Sequence, residues 1–165
     1  MPLRRLIFLS SLVLAVAALS PAAALGAAKG TDRPSSGTST STTTVDTATG
    51  TGTVVGSGHI SHLGRFTFTN DITSLTITGN TFSYTLTAII VAANGDEVFT
   101  TATGTGTLTA TGSESTLVST ITGGTGRFAD ASGTLTTEIS SVNVSLVGSI
   151  LTSTDTETHT GQVSY

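Results

Sequence analysis

Cysteine and tryptophan are absent from this chain, proline appears three times, and charge is sparse, with 6 basic and 10 acidic residues in 165. Without cysteine there is no disulfide, no thiolate metal ligand and no cysteine nucleophile, so stability must come from a hydrophobic core. The shortage of cations is just as restrictive. Beyond the first residues only Lys29, Arg33, Arg65 and Arg127 remain, too few to form the basic stripe that neutralises nucleic-acid phosphates or an anionic membrane surface. No G-x-S-x-G elbow, H-E-x-x-H helix or usable Ser/His/Asp spacing is present. The glycine-rich runs have no following Lys and no helix to cradle phosphate, and nothing in the chain calls for a cofactor.

The N-terminus has its own grammar. Arg4 and Arg5 precede an apolar run from Leu6 to Leu19, and small residues follow around Ala22 to Ala28. That order predicts a secretory signal peptide over 1–28, and the run is short for a membrane span. The protein is therefore expected to be secreted or periplasmic, with no integral membrane span after cleavage. Loss of Arg4 and Arg5 takes the net charge from −4 to about −6. Residues 29–44, which include TDRPSSGTSTSTTT, are small and polar without apolar periodicity, and read as a flexible linker.

What is abundant is threonine, about a fifth of the chain. Its β-branched side chain suits a pleated, half-exposed surface. From Val45 onward the hydrophobic period is two. Phe82, Tyr84, Leu86, Ala88 and Ile90 share one face, with Thr81, Ser83, Thr85 and Thr87 opposite. Asn94-Gly95 supplies a tight turn with two positive φ angles. The return strand, 98–111, puts Thr101, Thr103, Thr105, Thr107, Thr109 and Thr111 on one face, with Ala102, Gly104 and Gly106 on the other. Those small residues would let a barrel wall curve or leave room for a ligand. Further strands are predicted at 50–57, 64–70, 72–78, 117–122, 134–140, 142–152 and 155–165, with a turn at Gly79-Asn80. The sum is one all-β domain over 45–165, a closed antiparallel barrel of about eight strands, or failing that a sandwich.

Residues 123–133, GGTGRFADASG, resemble the GGTG-x-F-x-x-A-x-G signature of dirigent proteins and the corresponding segment of allene oxide cyclases. Residues 58–69, GHISHLGRFTFT, are similar to an opening segment of small exported bacterial proteins that carry the same motif. The resemblance implies an eight-stranded barrel with a partly apolar cavity, which in those families steers cyclisation or radical coupling of a small apolar molecule. Those families form dimers or trimers, so the resemblance leaves a homo-oligomer open. The matching residues, Gly124, Gly126, Phe128 and Gly133, are structural, and an activity does not travel with them.

Candidate chemistry lies elsewhere. Asp155, Glu157 and His159 are spaced by two, on one face of the last predicted strand. Strict alternation with Val163 and Tyr165 would put all three inside, where burial perturbs pKa values and an acid/base pair could move protons. A bulge at Gly161 would turn them out, and solvated carboxylates are the usual state, so they are expected in solvent. Arg65 and Arg127 each occur as Gly-Arg-Phe; one could hold an anionic ligand group at the barrel mouth, but pairing with Asp71 or Asp130 is the expected role. Tyr84 is a candidate ligand contact inside the barrel. His59 and His62, three apart on a strand, point to opposite faces and make no metal site. The regular threonine face at 101–111 raises water ordering of the ice-binding kind, which a single such strand on a twisted sheet does not support.

Three readings follow for function. The first is binding of a small apolar or aromatic molecule in the cavity. The second is an isomerase-like cyclase or dirigent-type enzyme using Asp155, Glu157 or His159. The third is a surface or extracellular-matrix module whose barrel is filled.

Overall fold

The computed structural model describes residues 30–165; the expected signal peptide at 1–28 lies outside them. Eight strands follow in order: β1 (Arg33–Asp46), β2 (Thr51–Ile60), β3 (Gly64–Thr78), β4 (Thr81–Ala92), β5 (Glu97–Leu108), β6 (Ser113–Gly124), β7 (Ser132–Val147) and β8 (Ile150–Ser164). Each pairs antiparallel with the next, and β8 pairs back onto β1, closing the barrel. Closure leaves no unpaired edge to recruit another chain, a real hazard for a sheet rich in β-branched residues.

The segment read as a linker is β1. Residues 33–46 pair with β8 along one side and with β2 along the other. Its inner face is Ser35, Ser39, Ser41 and Val45, all buried, while Thr38, Thr40 and Thr42 face out. Hydropathy shows no period because both faces are polar. The ordering energy comes from two hydrogen-bonded ladders and from hydroxyl contacts to Asp155, Glu157 and His159 on β8.

Other boundaries moved for simpler reasons. The strands expected at 64–70 and 72–78 are one strand, β3, with a bulge between Ile72 and Ser74. The extra residue shifts the phase, so Phe66, Phe68 and Ile72 before it and Leu75 and Ile77 after it all line the lumen. β7 likewise runs through a bulge near Asn143, and the turn at Gly148 interrupts the strand expected at 142–152. At Asn94-Gly95 only Gly95 has positive φ (87°), so the connection between β4 and β5 is a longer turn than a two-residue hairpin.

The alternation in β4 and β5 is as expected, with Leu86, Ala88 and Ala102 buried inside and Thr85, Thr87, Thr101 and Thr103 exposed. The space over Gly104 and Gly106 is taken by protein: a Cβ at Gly104 would run into the Tyr84 ring, and one at Gly106 into Phe82. The glycines admit aromatic rings, not a ligand. Threonine rows also occur on more than one strand. Thr38, Thr40 and Thr42 stand opposite Thr158, Thr156 and Thr154 on the outer face, where they wrap a closed barrel, not a flat sheet.

The two ends of the barrel differ. At one end the connection after β6 folds inward through a short 3-10 turn, Gly126–Phe128. Gly126 has φ 53°, and a Cβ there would strike the Asp96 carboxylate, so only glycine fits. The turn drives Phe128 into the end of the barrel, where it is 0% exposed and meets Tyr165 edge-on at 5.0 Å. Leu63, Ala131 and Val163 complete the plug. The opposite end is ringed by the exposed apolar side chains Ile77, Leu108 and Val144. No helix among the described residues is long and apolar enough to cross a membrane.

Candidate functional site in the barrel lumen

Asp155, Glu157 and His159 point into the barrel. They are 3%, 5% and 8% exposed, which corrects the expectation that they are solvated. No bulge intervenes at Gly161: the β8 register with β1 runs without a shift from Ile150 to Val163. Alternation therefore carries the inward phase of Val163 down the strand to all three.

β1 supplies what makes their burial tolerable. The ladder sets Ser39 opposite Glu157, Ser41 opposite Asp155 and Thr43 opposite Ser153. Ser39 Oγ donates a short hydrogen bond to Glu157 Oε2, and Ser41 Oγ donates to Glu157 Oε1 at 2.7 Å. Asp155 accepts from Thr43 Oγ1 on Oδ2 and from Ser153 Oγ at 2.8 Å on Oδ1. Ser41 lies farther from Asp155, at 3.4 Å. Each hydroxyl has one proton to give, and four hydroxyls serve the two carboxylates.

Proton counting also fixes the imidazole. The Ser39 proton is committed to Glu157, so the 2.8 Å contact between Ser39 Oγ and His159 Nε2 needs its hydrogen on the ring nitrogen. Nδ1 then accepts from Thr137 Oγ1 at 2.9 Å. The result is a directed chain, Thr137 to His159 to Ser39 to Glu157, in which each member has a partner. Glu157 Oε2 lies 3.7 Å from His159 Nε2, but burial pushes the imidazole pKa down to about 4. At neutral pH the ring is uncharged, so the contact is not an ion pair. Burial raises the Glu157 pKa above the usual carboxylate value, the Ser39 and Ser41 donors oppose that rise, and the Asp155 charge adds to it.

Most of the remaining wall is apolar, with Asn70, Thr100, Ser115, Ser119 and Ser141 set into it. Phe66, Phe68, Ile72, Leu86, Leu117 and Leu135 face the polar side across a cavity of about 150 Å3. Phe66 stands edge-on to the His159 ring, with centroids 6.1 Å apart. Tyr84 lines the same space, as its inward phase predicts, with its hydroxyl 3.4 Å from Ser115 Oγ. Burial raises the phenol pKa, and the charges of Glu157 and Asp155 raise it further against the Ser115 hydrogen bond.

The arginines are not part of the lumen. Arg65 is exposed on the outer face of β3, and Arg127 is exposed beside the plugged end. Arg127 donates to Leu63 O at 3.0 Å and lies over the Phe128 ring at 4.5 Å, instead of pairing with Asp130. Arg65 likewise makes no ion pair with Asp71 among the described residues; the ladder places it opposite His59. His59 is exposed on β2, and His62 sits in the following turn at φ 71°.

Ser39, Ser41, Thr43, Thr137 and Asn70 belong to the site and were missed by sequence reasoning. For β1 a signal was available: Thr38, Thr40 and Thr42 alternate with Ser39 and Ser41, which places threonine on one face and serine on the other. The same alternation sets Thr154, Thr156 and Thr158 against Asp155, Glu157 and His159. No family model, no curated protein and no solved structure matches this chain.

Proposed function

We propose that this protein binds a small apolar molecule in the lumen of its barrel. What carries the reading is the cavity: about 150 Å3 bounded by Phe66, Phe68, Ile72, Leu86 and Leu117, with the acidic groups and the imidazole gathered on β8 and a few neutral polar side chains, Asn70 and Thr137 among them, on other strands. A dry apolar cavity of roughly that volume accommodates a single benzene-sized ring. Apolar walls with a few convergent polar groups are what small-molecule sites share. Phe128 closes one end, so the ligand enters past Ile77, Leu108 and Val144. The likeness of the GGTGRF segment to dirigent proteins and allene oxide cyclases belongs to the same proposal, as does export, which rests on the leader-like residues 1–28.

Titration of the protein with benzene, followed by amide and methyl NMR shifts, tests the reading. Saturable shifts at Phe66, Ile72, Leu86 and Leu117 are expected. No shift at millimolar benzene, together with no small molecule retained in native mass spectra of protein from its own medium, overturns it.

One observation favours a second reading, proton transfer on a reactive ligand of the cyclase or dirigent type. Glu157 and His159 share Ser39 and line the cavity, so an acid and a base stand within one hydrogen-bonded chain. Under that reading Glu157→Gln abolishes turnover while benzene binding persists; turnover that survives the substitution removes it.

A further inference from the structure

The lumen holds two carboxyl groups and no lysine or arginine side chain. Asp155 and Glu157 are both buried, whereas the arginines among the described residues, Arg33, Arg65 and Arg127, are all exposed. His159 supplies no compensating charge while neutral. Hydroxyl donors alone support the carboxylates, and hydrogen bonds from neutral groups offset the loss of water less fully than a cation does.

A separate observation concerns the opposite side of the cavity. Asn70 on β3 is only 9% exposed and lines the lumen, yet among the described residues its side chain makes no hydrogen bond. Its strand neighbours on the inner face, Phe68 and Ile72, and its cross-strand partners Val54 and Ala88 are apolar. The amide is open to the cavity, where a bound group can use its two donors and its acceptor. Phe66, Phe68 and Tyr84 place aromatic rings around the same space, and the face of such a ring attracts a cation.

We infer that the lumen is selective for a compact protonated amine, an ammonium group on an apolar body of about one ring. The inference rests on the lumen-binding reading above and names its ligand class. The ammonium has three donors and no acceptor, which matches carboxylates that only accept. It would sit against Asp155 and Glu157, with the apolar body along Phe66 and Phe68 and the Asn70 carbonyl as a further acceptor. An anionic ligand of the same size would face two carboxylates of its own sign and be rejected.

The test compares benzylamine, benzyl alcohol and benzoate by NMR titration and calorimetry on the wild-type protein at pH 7. Benzylamine is expected to bind at least about tenfold more tightly than benzyl alcohol, with shifts at Phe66, Ser39 and Asn70, and benzoate not at all. Asp155→Asn and Asn70→Leu should each narrow the gap between amine and alcohol. Benzyl alcohol binding as tightly as the amine overturns amine selectivity and leaves lumen binding standing. A preference for amine whose shifts lie on the outer surface, or that survives Asp155→Asn, Glu157→Gln and Asn70→Leu alike, also overturns it. If neither compound binds and benzene is also excluded, the lumen-binding reading fails first. The comparison of ligands on wild-type protein needs no variant, so a substitution that prevents folding does not blunt it.

Discussion

Acid should weaken this barrel through a single imidazole. His159 is buried between Thr137 and Ser39 and holds its pKa at about 4, against 6.5 when free. Between those values the unfolded chain binds a proton at this position that the folded chain does not, so stability rises with pH across the window and falls on acidification. A difference of about 2.5 pH units at 1.36 kcal/mol each gives an upper bound of about 3 kcal/mol lost between pH 6.5 and 4. Glu157 acts in the opposite sense. Its folded pKa is raised, so its burial costs stability above that pKa, and the cost fades as pH falls toward the unfolded value. The net loss is therefore smaller than the imidazole alone would give. Urea unfolding of the wild type and His159→Gln at half-unit steps from pH 4 to 7.5 separates the two, because the variant keeps the Glu157 contribution. The wild-type curve should fall below the variant's trend by about 2–3 kcal/mol over the window. A difference curve that stays flat, or a His159 ring that titrates near 6.5 by NMR, refutes the neutral buried imidazole.

Two further substitutions test the packing. Phe128→Ala removes a fully buried ring from the plugged end and should cost about 3–5 kcal/mol in urea unfolding; a loss below about 1 kcal/mol would mean that the plug is not structural. Gly104→Val would push into the Tyr84 ring and should cost about 1–3 kcal/mol. It should also disturb Tyr84 signals in NMR spectra, and an unchanged Tyr84 would show that the ring does not occupy the glycine's space.

Much of the architecture can be read along the chain, because an amphipathic strand writes its period of two directly into residue order. Phe82 to Ile90 against Thr81 to Thr87 gives both the strand and its inward face, and Gly126 with Phe128 gives the folded-in connection. The same rule was sound for β8, where alternation from Val163 reaches Asp155 without interruption. The solvated expectation rested on a bulge at Gly161 and on the usual exposure of carboxylates; the strand has no such bulge, and Ser39, Ser41 and Thr43, in residues read as a linker, supply hydroxyl partners.

Sequence by itself determined an all-β chain of about eight strands suited to a barrel, and which residues of β4 and β5 face inward; these are local consequences of side-chain alternation and turn chemistry. Tertiary structure alone decided that residues 33–46 are a strand, because a segment polar on both faces is ordered only by the ladders and hydroxyl contacts its neighbours provide. It alone decided that Asp155, Glu157 and His159 are inside, that Arg65 and Arg127 are not, and that Asn70 faces the cavity without a partner. Whether a polar side chain is buried depends on what stands beside it on the neighbouring strand, more than 100 residues away for Ser39 and Glu157, and no local pattern carries that distance.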